Sequence, residues 1–388
     1  MATIAENLQM IKDSTTAIKQ SIVNRGATIN GNIATWASAI GVIGTDEDSS
    51  GGRGVGEITF YDCDGTILHS YTKSEFLALS SLPNLPTRNG LTCQGWNYTL
   101  ANAQSYVRDY GKLDIGATYI TDDGCTRLYI RIAAEGRMDV PLYFNQSVSD
   151  GVVIDWGDGS ATETLSDVDN VSCTHTYAKT GDYVISLRVV SGTLNLGHKS
   201  SSYCILGDTT IKVYPNMLQK VEIGSGVTYI DTYAFSYCQS LASVVIPDGV
   251  TSIGNRAFYY CYSLALVVIP NSVTIIDDYA FNKCYSLISV VIPNSVTSID
   301  MYAFDGCQSL ASVVIPNSVK SIEMSVFNNC RGVAFYAFPS HTEVPTLSST
   351  STFANIASDC EIRVPASLLD RWKAATNWAT YANKIIGY

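Results

Sequence analysis

The chain has 388 residues and a net charge of −11 with only 24 lysines and arginines, which is too long for one compact core and argues against nucleic acid as the main partner. It has no basic amphipathic stretch and no apolar run long enough to span a bilayer, so no membrane insertion is expected. Its eleven cysteines include no CxxC pair, which favours reduced, packed thiols over zinc or dithiol chemistry.

At the start, Ile4, Leu8, Ile11, Thr15, Ile18 and Ile22 follow one another at alternating spacings of four and three. This is a short heptad seam, and its Leu and Ile placement favours more than two strands, hence a homo-oligomer of three chains or more. An amphipathic helix packed on its own chain reads equally well. Ile33, Trp36, Ile40 and Ile43 suggest a second helix, and residues 44–56 form a Gly- and Ser-rich linker. The opening residues lack the features of a secretory signal, so the chain is expected to stay in the cytosol or to leave by another route.

A small α+β module is expected over residues 57–137. ITFYD and TILHSY flank an Asp64-Gly65 turn and read as a hairpin, Thr72 and Glu75 form a capping box, and a helix runs near Leu100 to Tyr110. ATYIT and TRLYIRI flank Asp122-Asp123-Gly124 and suggest a second hairpin. The segment around Asp62 and Asp64 resembles motif one of the haloacid-dehalogenase-like phosphatases, whose first Asp attacks phosphate. Here ILHSY follows Gly65 with no room for a crossover, so the hairpin accounts for the same residues and no catalysis is expected.

Short alternating strands over 138–213 suggest a β-sandwich. Trp156-Gly157-Asp158-Gly159-Ser160, His175-Thr176-Tyr177 and Gly181 through Val189 resemble the polycystic-kidney-disease (PKD) domain family, which implies an immunoglobulin-like spacer or adhesion module.

From 214 to 340 one 23-residue pattern recurs. Phe235, Phe258, Phe281, Phe304 and Phe327 keep that period, as do Cys238, Cys261, Cys284, Cys307 and Cys330, which is the mark of a solenoid. The unit is plainest in Ile292-Pro293-Asn294-Ser295-Val296-Thr297-Ser298-Ile299, followed by Ala303-Phe304, Cys307 and Leu310. It resembles the BspA-like bacterial leucine-rich repeat family, which implies a stacked β solenoid used for binding in cell-surface and phage-borne proteins. Residues 341–388 read as a strand and helical turns that cap the last coil, with Leu369, Trp372, Trp378 and Ile385 available for burial.

Within a coil, strand alternation turns Val244 and Ile246 inward and their neighbours outward. The outward slots are Ser243 and Val245, Leu266 and Val268, Ser289 and Val291, Ser312 and Val314. The valines form either an exposed contact stripe or a face covered by another segment. Beside the cysteines the residues vary, with Tyr237, Tyr260, Tyr262 and Tyr285 among them, and tyrosine offers large contact area at little entropic cost. These two sets are the candidate binding surface. The cysteine ladder offers no converging metal geometry, and His69, His175, His198 and His341 have no ligand spacing. No cofactor, metal or catalytic role is expected. The order of parts suggests a virion-associated protein of tail-fibre, baseplate or head-fibre type. It would reach other virion proteins through its N-terminal helices and a bacterial surface protein or glycan through its repeats. The alternative is a secreted or cell-surface adhesin of the same repeat family that binds host proteins.

Overall fold

The computed structural model describes residues 58–388, apart from 63–65, 97, 111–112, 134–136, 148–149, 169, 198–202, 209–214, 339–340 and 388. The N-terminal helices, their heptad seam and the linker lie outside the described residues.

The first element group is a four-stranded sheet. Strand β1 (Ile58–Tyr61) pairs antiparallel with β2 (Ile67–Tyr71), as the turn signal predicts. Thr72 and Glu75 make both capping-box bonds at the start of helix α1 (Lys73–Leu77). Strand β3 (Leu91–Trp96), helix α2 (Leu100–Tyr110) and strand β4 (Leu113–Thr121) follow. The sheet order is β2-β1-β4-β3, with β4 parallel to β1 and antiparallel to β3.

The expected hairpin across Asp122-Asp123-Gly124 does not form. The turn itself is present, since the Gly124 N–H donates to the Thr121 carbonyl at 3.0 Å and Gly124 has φ 71°. The next strand, β5 (Thr126–Ile132), leaves the module and pairs instead with strands downstream. Turn chemistry is local, whereas pairing went to the segments able to bury Leu128 and Ile130, both in the main core.

Strands β6 (Asp139–Gln146), β7 (Val152–Asp155), β8 (Glu163–Leu165), β9 (Val171–Thr176), β10 (Gly181–Val189) and β11 (Leu194–Leu196) form two layers together with β5. A two-residue pair, β12 (Tyr203–Cys204) and β13 (Gly207–Asp208), follows.

The repeats then wind as a solenoid. Each coil gives one strand to each of two parallel sheets. The first takes β14 (Leu218–Glu222), β16 (Ser243–Val245), β18 (Leu266–Val268), β20 (Ser289–Val291), β22 (Ser312–Val314) and β24 (Phe335–Ala337). The second takes β15 (Val227–Ile230), β17 (Ser252–Ile253), β19 (Ile275–Ile276), β21 (Ser298–Ile299), β23 (Ser321–Ile322) and β25 (Thr346–Leu347). A proline closes the first strand, and the carbonyls of Pro247, Pro270, Pro293 and Pro316 each accept from the N–H three residues on.

The two layers before the repeats are not a separate bead. Strand β14 pairs with β5 and β15 pairs with β11, so each layer runs on into a solenoid sheet, giving sheets of twelve and nine strands. One apolar core extends from Leu128 to Ile385 without a break. Its spine is a phenylalanine ladder whose ring centroids lie 5.2 to 5.6 Å apart from Phe235 to Phe327. The ladder runs one step further than the 23-residue period, because Phe353 stacks on Phe327 at 5.6 Å. Residues 341–360 thus form a degenerate coil that the fixed period misses. Strands β26 (Glu361–Val364) and β27 (Ile385–Gly387), with helix α3 (Leu369–Ala374) between them, extend the first sheet. Trp372 and Trp378 are fully buried there.

Candidate recognition surface

Alternation holds as expected on the first sheet: Val244, Val267, Val290 and Val313 face the solenoid core. Among their outward neighbours, Val245 and Val268 do not face water. Val245 is 3% exposed and Val268 is 8% exposed, and Val245, Phe335 and Ala337 belong to a second core built with Phe60, Trp96, Ile115 and Tyr119 of the α+β module. Val314 is partly buried against the same cluster. Strand β4 lies across β16, β18 and β20. At Gly116 a Cβ would sit 2.5 Å from Val268 Cγ2, so the closest approach requires a residue without a side chain. The expectation of an exposed valine stripe is therefore corrected: the covered alternative is the one found. Ser243, Leu266, Ser289 and Ser312 are half-buried in the same strands, and Val291 pairs with Val314 in the sheet.

The tyrosines sit elsewhere, on the bend that leads from the second sheet back to the first sheet of the next coil, and they assemble. Tyr237 stacks on Tyr260 at 5.1 Å, Tyr262 on Tyr285 at 4.9 Å, and Tyr279 on Tyr302 at 4.8 Å. Tyr259 packs edge-on against Tyr260 at 4.3 Å and Tyr279 at 6.3 Å, joining the first column to the third, while Tyr260 reaches Tyr262 of the second at 5.4 Å. Two cations are held among the rings. The Arg256 guanidinium lies 4.3 Å from the Tyr279 centroid and also reaches Tyr233 and Tyr259, while Lys283 Nζ lies 4.8 Å from the Tyr260 centroid and donates to its hydroxyl at 2.8 Å. Burial pushes the phenols of Tyr237, Tyr262 and Tyr279 above the usual tyrosine range, so they stay protonated and able to donate. Sequence reasoning did not single out Tyr233, Arg256, Tyr259, Tyr279 and Tyr302. Their recurrence at the coil period beside the Phe slot was the available signal.

The backbone under these side chains is left-handed. Tyr233, Arg256, Tyr279, Tyr302 and Ser325 have φ between 55° and 60°, and Tyr237, Tyr260, Lys283, Gly306 and Asn329 have φ between 58° and 79°. Each set is one position of the coil repeated five times. Gly and Asn adopt this conformation most cheaply, and a bulky side chain costs roughly 1–2 kcal/mol. The later coils use Gly306 and Asn329, whereas the earlier ones place Tyr237, Tyr260 and Lys283 at the same corner.

Beneath the bend, a buried polar row fastens the coils. Asp305, 8% exposed, accepts from Asn282 Nδ2 at 3.0 Å, Asn328 Nδ2 at 2.8 Å and Asn329 Nδ2 at 3.3 Å. In the same coils, Asp277, Asp278 and Asp300 bring carboxylate oxygens within 4.8 Å of one another, the one such group of three ligand side chains among the described residues. Asp278 accepts from the Met301 N–H of the next coil at 2.8 Å, and Asp300 accepts from the Ser298 hydroxyl within its own coil.

The phosphatase-like segment is engaged otherwise. Asp62 is 4% exposed, accepts from Arg88 Nε at 2.6 Å and from the Tyr119 hydroxyl at 2.5 Å, and closes the β1–β2 turn through its N–H to the Thr66 carbonyl. Asp122 accepts from the Thr92 hydroxyl at 2.6 Å, at the far end of β4.

Residues 213–334 match the BspA type leucine-rich repeat region, in six copies. Among solved structures, the leucine-rich repeat protein of T. pallidum is 30% identical, covering 37% of this chain and 73% of that one, with a TM-score of 0.32. The pneumococcal vaccine antigen PcpA is 20% identical, covering 51% of this chain and 46% of that one, with a TM-score of 0.40. A leucine-rich repeat protein from Bacteroides ovatus is 18% identical, covering 55% and 77%, with a TM-score of 0.22. No curated protein matches the chain.

Proposed function

Since residues 213–334 belong to the BspA-type leucine-rich repeat family, we propose that the protein is a non-enzymatic binding protein that works in adhesion at a cell surface, with the tyrosine ladder as its contact face. The carrying observation is the choice of residues at the left-handed corners. Tyr237, Tyr260 and Lys283 occupy a backbone conformation that Gly306 and Asn329 fill at the same point of later coils. A fold-driven choice would favour Gly or Asn throughout, so the large side chains answer to something other than the fold. Tyrosine held rigid by stacking, with cations laid over the rings, gives contact area that is already ordered before a ligand arrives.

In this reading the segment with Trp156-Gly157-Asp158-Gly159-Ser160 and His175-Thr176-Tyr177 is a PKD-like spacer that seals the first coil. Its Tyr177 hydroxyl donates to the Trp156 carbonyl at 2.8 Å. Attachment to a virion and assembly into oligomers rest on the order of parts and on residues 1–57, outside the described residues; a particle-borne protein would use the same face.

The test compares the parent with Tyr260→Asn/Tyr262→Ser. Because Asn suits the left-handed corner, thermal stability should change little. Attachment to bacterial and host-cell envelope fractions, measured by surface plasmon resonance, should fall at least tenfold. Unchanged attachment with an intact fold moves the contact face elsewhere.

A further inference from the structure

One column of the ladder holds a cation near its start and ends on a ring with nothing laid over it. Its slot is the first left-handed corner of each coil, filled in turn by Tyr233, Arg256, Tyr279, Tyr302 and Ser325. Side chains at one slot of successive coils lie side by side, so each meets the one before it and the one after it. Arg256 shows the pattern, with its guanidinium 5.5 Å from the Tyr233 centroid and 4.3 Å from that of Tyr279. Tyr279 in turn stacks on Tyr302 at 4.8 Å with an interplanar angle of 8°.

The run then breaks. Ser325 is too short to cover a ring, and its hydroxyl donates to Ser351 Oγ at 2.9 Å. Among the described residues, Tyr302 has no second ring and no cation over it. Tyr302 is half-buried and Met301 beside it is 37% exposed, so the place is within reach of a partner. Its surroundings carry negative charge. Asp300 lies two residues before Tyr302 and Glu323 two before Ser325, and Asp277, Asp278 and Glu323 all act on Asp300 as like charges. Arg256 partly offsets Asp278, whereas Asp300 has no such counterion among the described residues.

The end of the column therefore lacks what the chain itself supplies at the same slot nearer the start, a planar cation on a ring. A guanidinium can lie flat on a tyrosine and still turn its N–H edge to carboxylates, which a compact, strongly hydrated ammonium does less well. We propose that the uncovered face of Tyr302, with Asp300 and Glu323 close by, takes an arginine side chain of a protein partner in the way that Arg256 is held between Tyr233 and Tyr279. This rests on the tyrosine ladder being the contact face, as proposed above, and names the chemistry of its partner.

Ser325→Arg makes the chain its own competitor. Arg256 already occupies this slot at φ 55°, and Ser325 has φ 57°, so the corner accepts arginine, and thermal melting checks that the fold is kept. The probe is a short peptide of alternating glycine and arginine, compared with its citrulline counterpart, which keeps the shape and loses the charge. Binding to the full chain is read by fluorescence anisotropy at about 150 mM salt, where diffuse attraction is screened. The citrulline peptide should bind about tenfold more weakly than the arginine peptide. Ser325→Arg should lower affinity for the arginine peptide about fivefold, and Tyr302→Asn, which suits the left-handed corner and removes the ring, should do the same. Thr174→Arg, exposed on β9 ahead of the repeats, adds the same charge far from the slot and should leave affinity unchanged.

Equal binding of the two peptides, or no binding of either, overturns the proposal. So does an equal loss in Thr174→Arg and Ser325→Arg, since overall charge would then be the cause. Retained affinity in Tyr302→Asn overturns it whether or not Ser325→Arg folds. If Tyr260→Asn/Tyr262→Ser loses attachment to envelope fractions while Ser325→Arg keeps it, the contact face stands with a partner of other chemistry. If neither variant loses attachment, the reading of the face fails as well.

Discussion

The cysteines show how one residue type is spent entirely on the fold. Cys261, Cys284, Cys307 and Cys330 each donate their thiol hydrogen to the carbonyl of the Phe in the preceding coil, at 3.1 to 3.3 Å. All are fully buried, and burial pushes each thiol well above its ordinary range. A thiolate is the reactive form, so alkylation of the native protein should leave these four unmodified and denaturation should expose them together, read by mass spectrometry. Cys284→Ala, which removes a donor and leaves a small void, should cost ~1–2 kcal/mol in chemical denaturation. The aspartates at the bend follow a different rule. Burial raises Asp278 and Asp300 above the ordinary Asp value of 3.8, so the folded state binds their protons more tightly than the unfolded chain does. Their contribution is then most favourable below the unfolded carboxylate range and is lost as pH rises through the folded values. Asp300→Asn should give a small rise in Tm at neutral pH over the parent and no such gain at pH 3. An equal gain at both would show that charge is not the cause.

At the scale of elements, the contact between β4 and the solenoid strands depends on a glycine facing a valine. Gly116→Val places branched carbons where Val268 already sits, and overpacking of this kind should destabilise by about 1–3 kcal/mol. Val268→Ala in the same chain should return most of that loss. A double-mutant cycle giving independent, additive effects would mean that the two positions do not meet. This contact also marks where reading from sequence stopped. The repeat was legible because its period is explicit at every Phe, Cys and Ile slot, and alternation correctly separated Val244 from Val245. What covers Val245 was not legible, since the covering residues come from Phe60 to Tyr119 and no local pattern links segments so far apart. The Asp122-Asp123-Gly124 turn misled for the same reason: it bends the chain as its residues dictate, but β5 is recruited by β10 and β14. The tyrosines near the cysteines were visible as variable slots. Their stacking and left-handed backbone, which turn scattered positions into one surface, depend on how the coils superpose.

For the whole molecule, two cores meet back to back across the first solenoid sheet. One runs the length of the sheets, and the other joins the α+β module to the outward valines and to Phe335 and Ala337. Solenoids expose apolar coils at their ends and must cover them. Here the layers built from β5 to β11 continue the sheets before the first coil, while the module covers one flank. The flank has a separate purpose from the ends: without it, Val245, Val268, Val314 and Phe335 would stand in water along one face of the sheet as an apolar patch, the kind that drives association. A chain beginning at Thr126 keeps β5, and with it both sheets and the long core, but loses the cover. It should therefore fold with its β-sheet circular dichroism retained and self-associate in sedimentation velocity at micromolar concentration. Adding Val245→Thr and Val268→Thr keeps strand propensity while making the flank polar, and should return it to the association state of the full-length chain. If the truncated chain does not self-associate with its valines intact, the module is held by its polar and backbone contacts, and the apolar seam is not what fixes it in place.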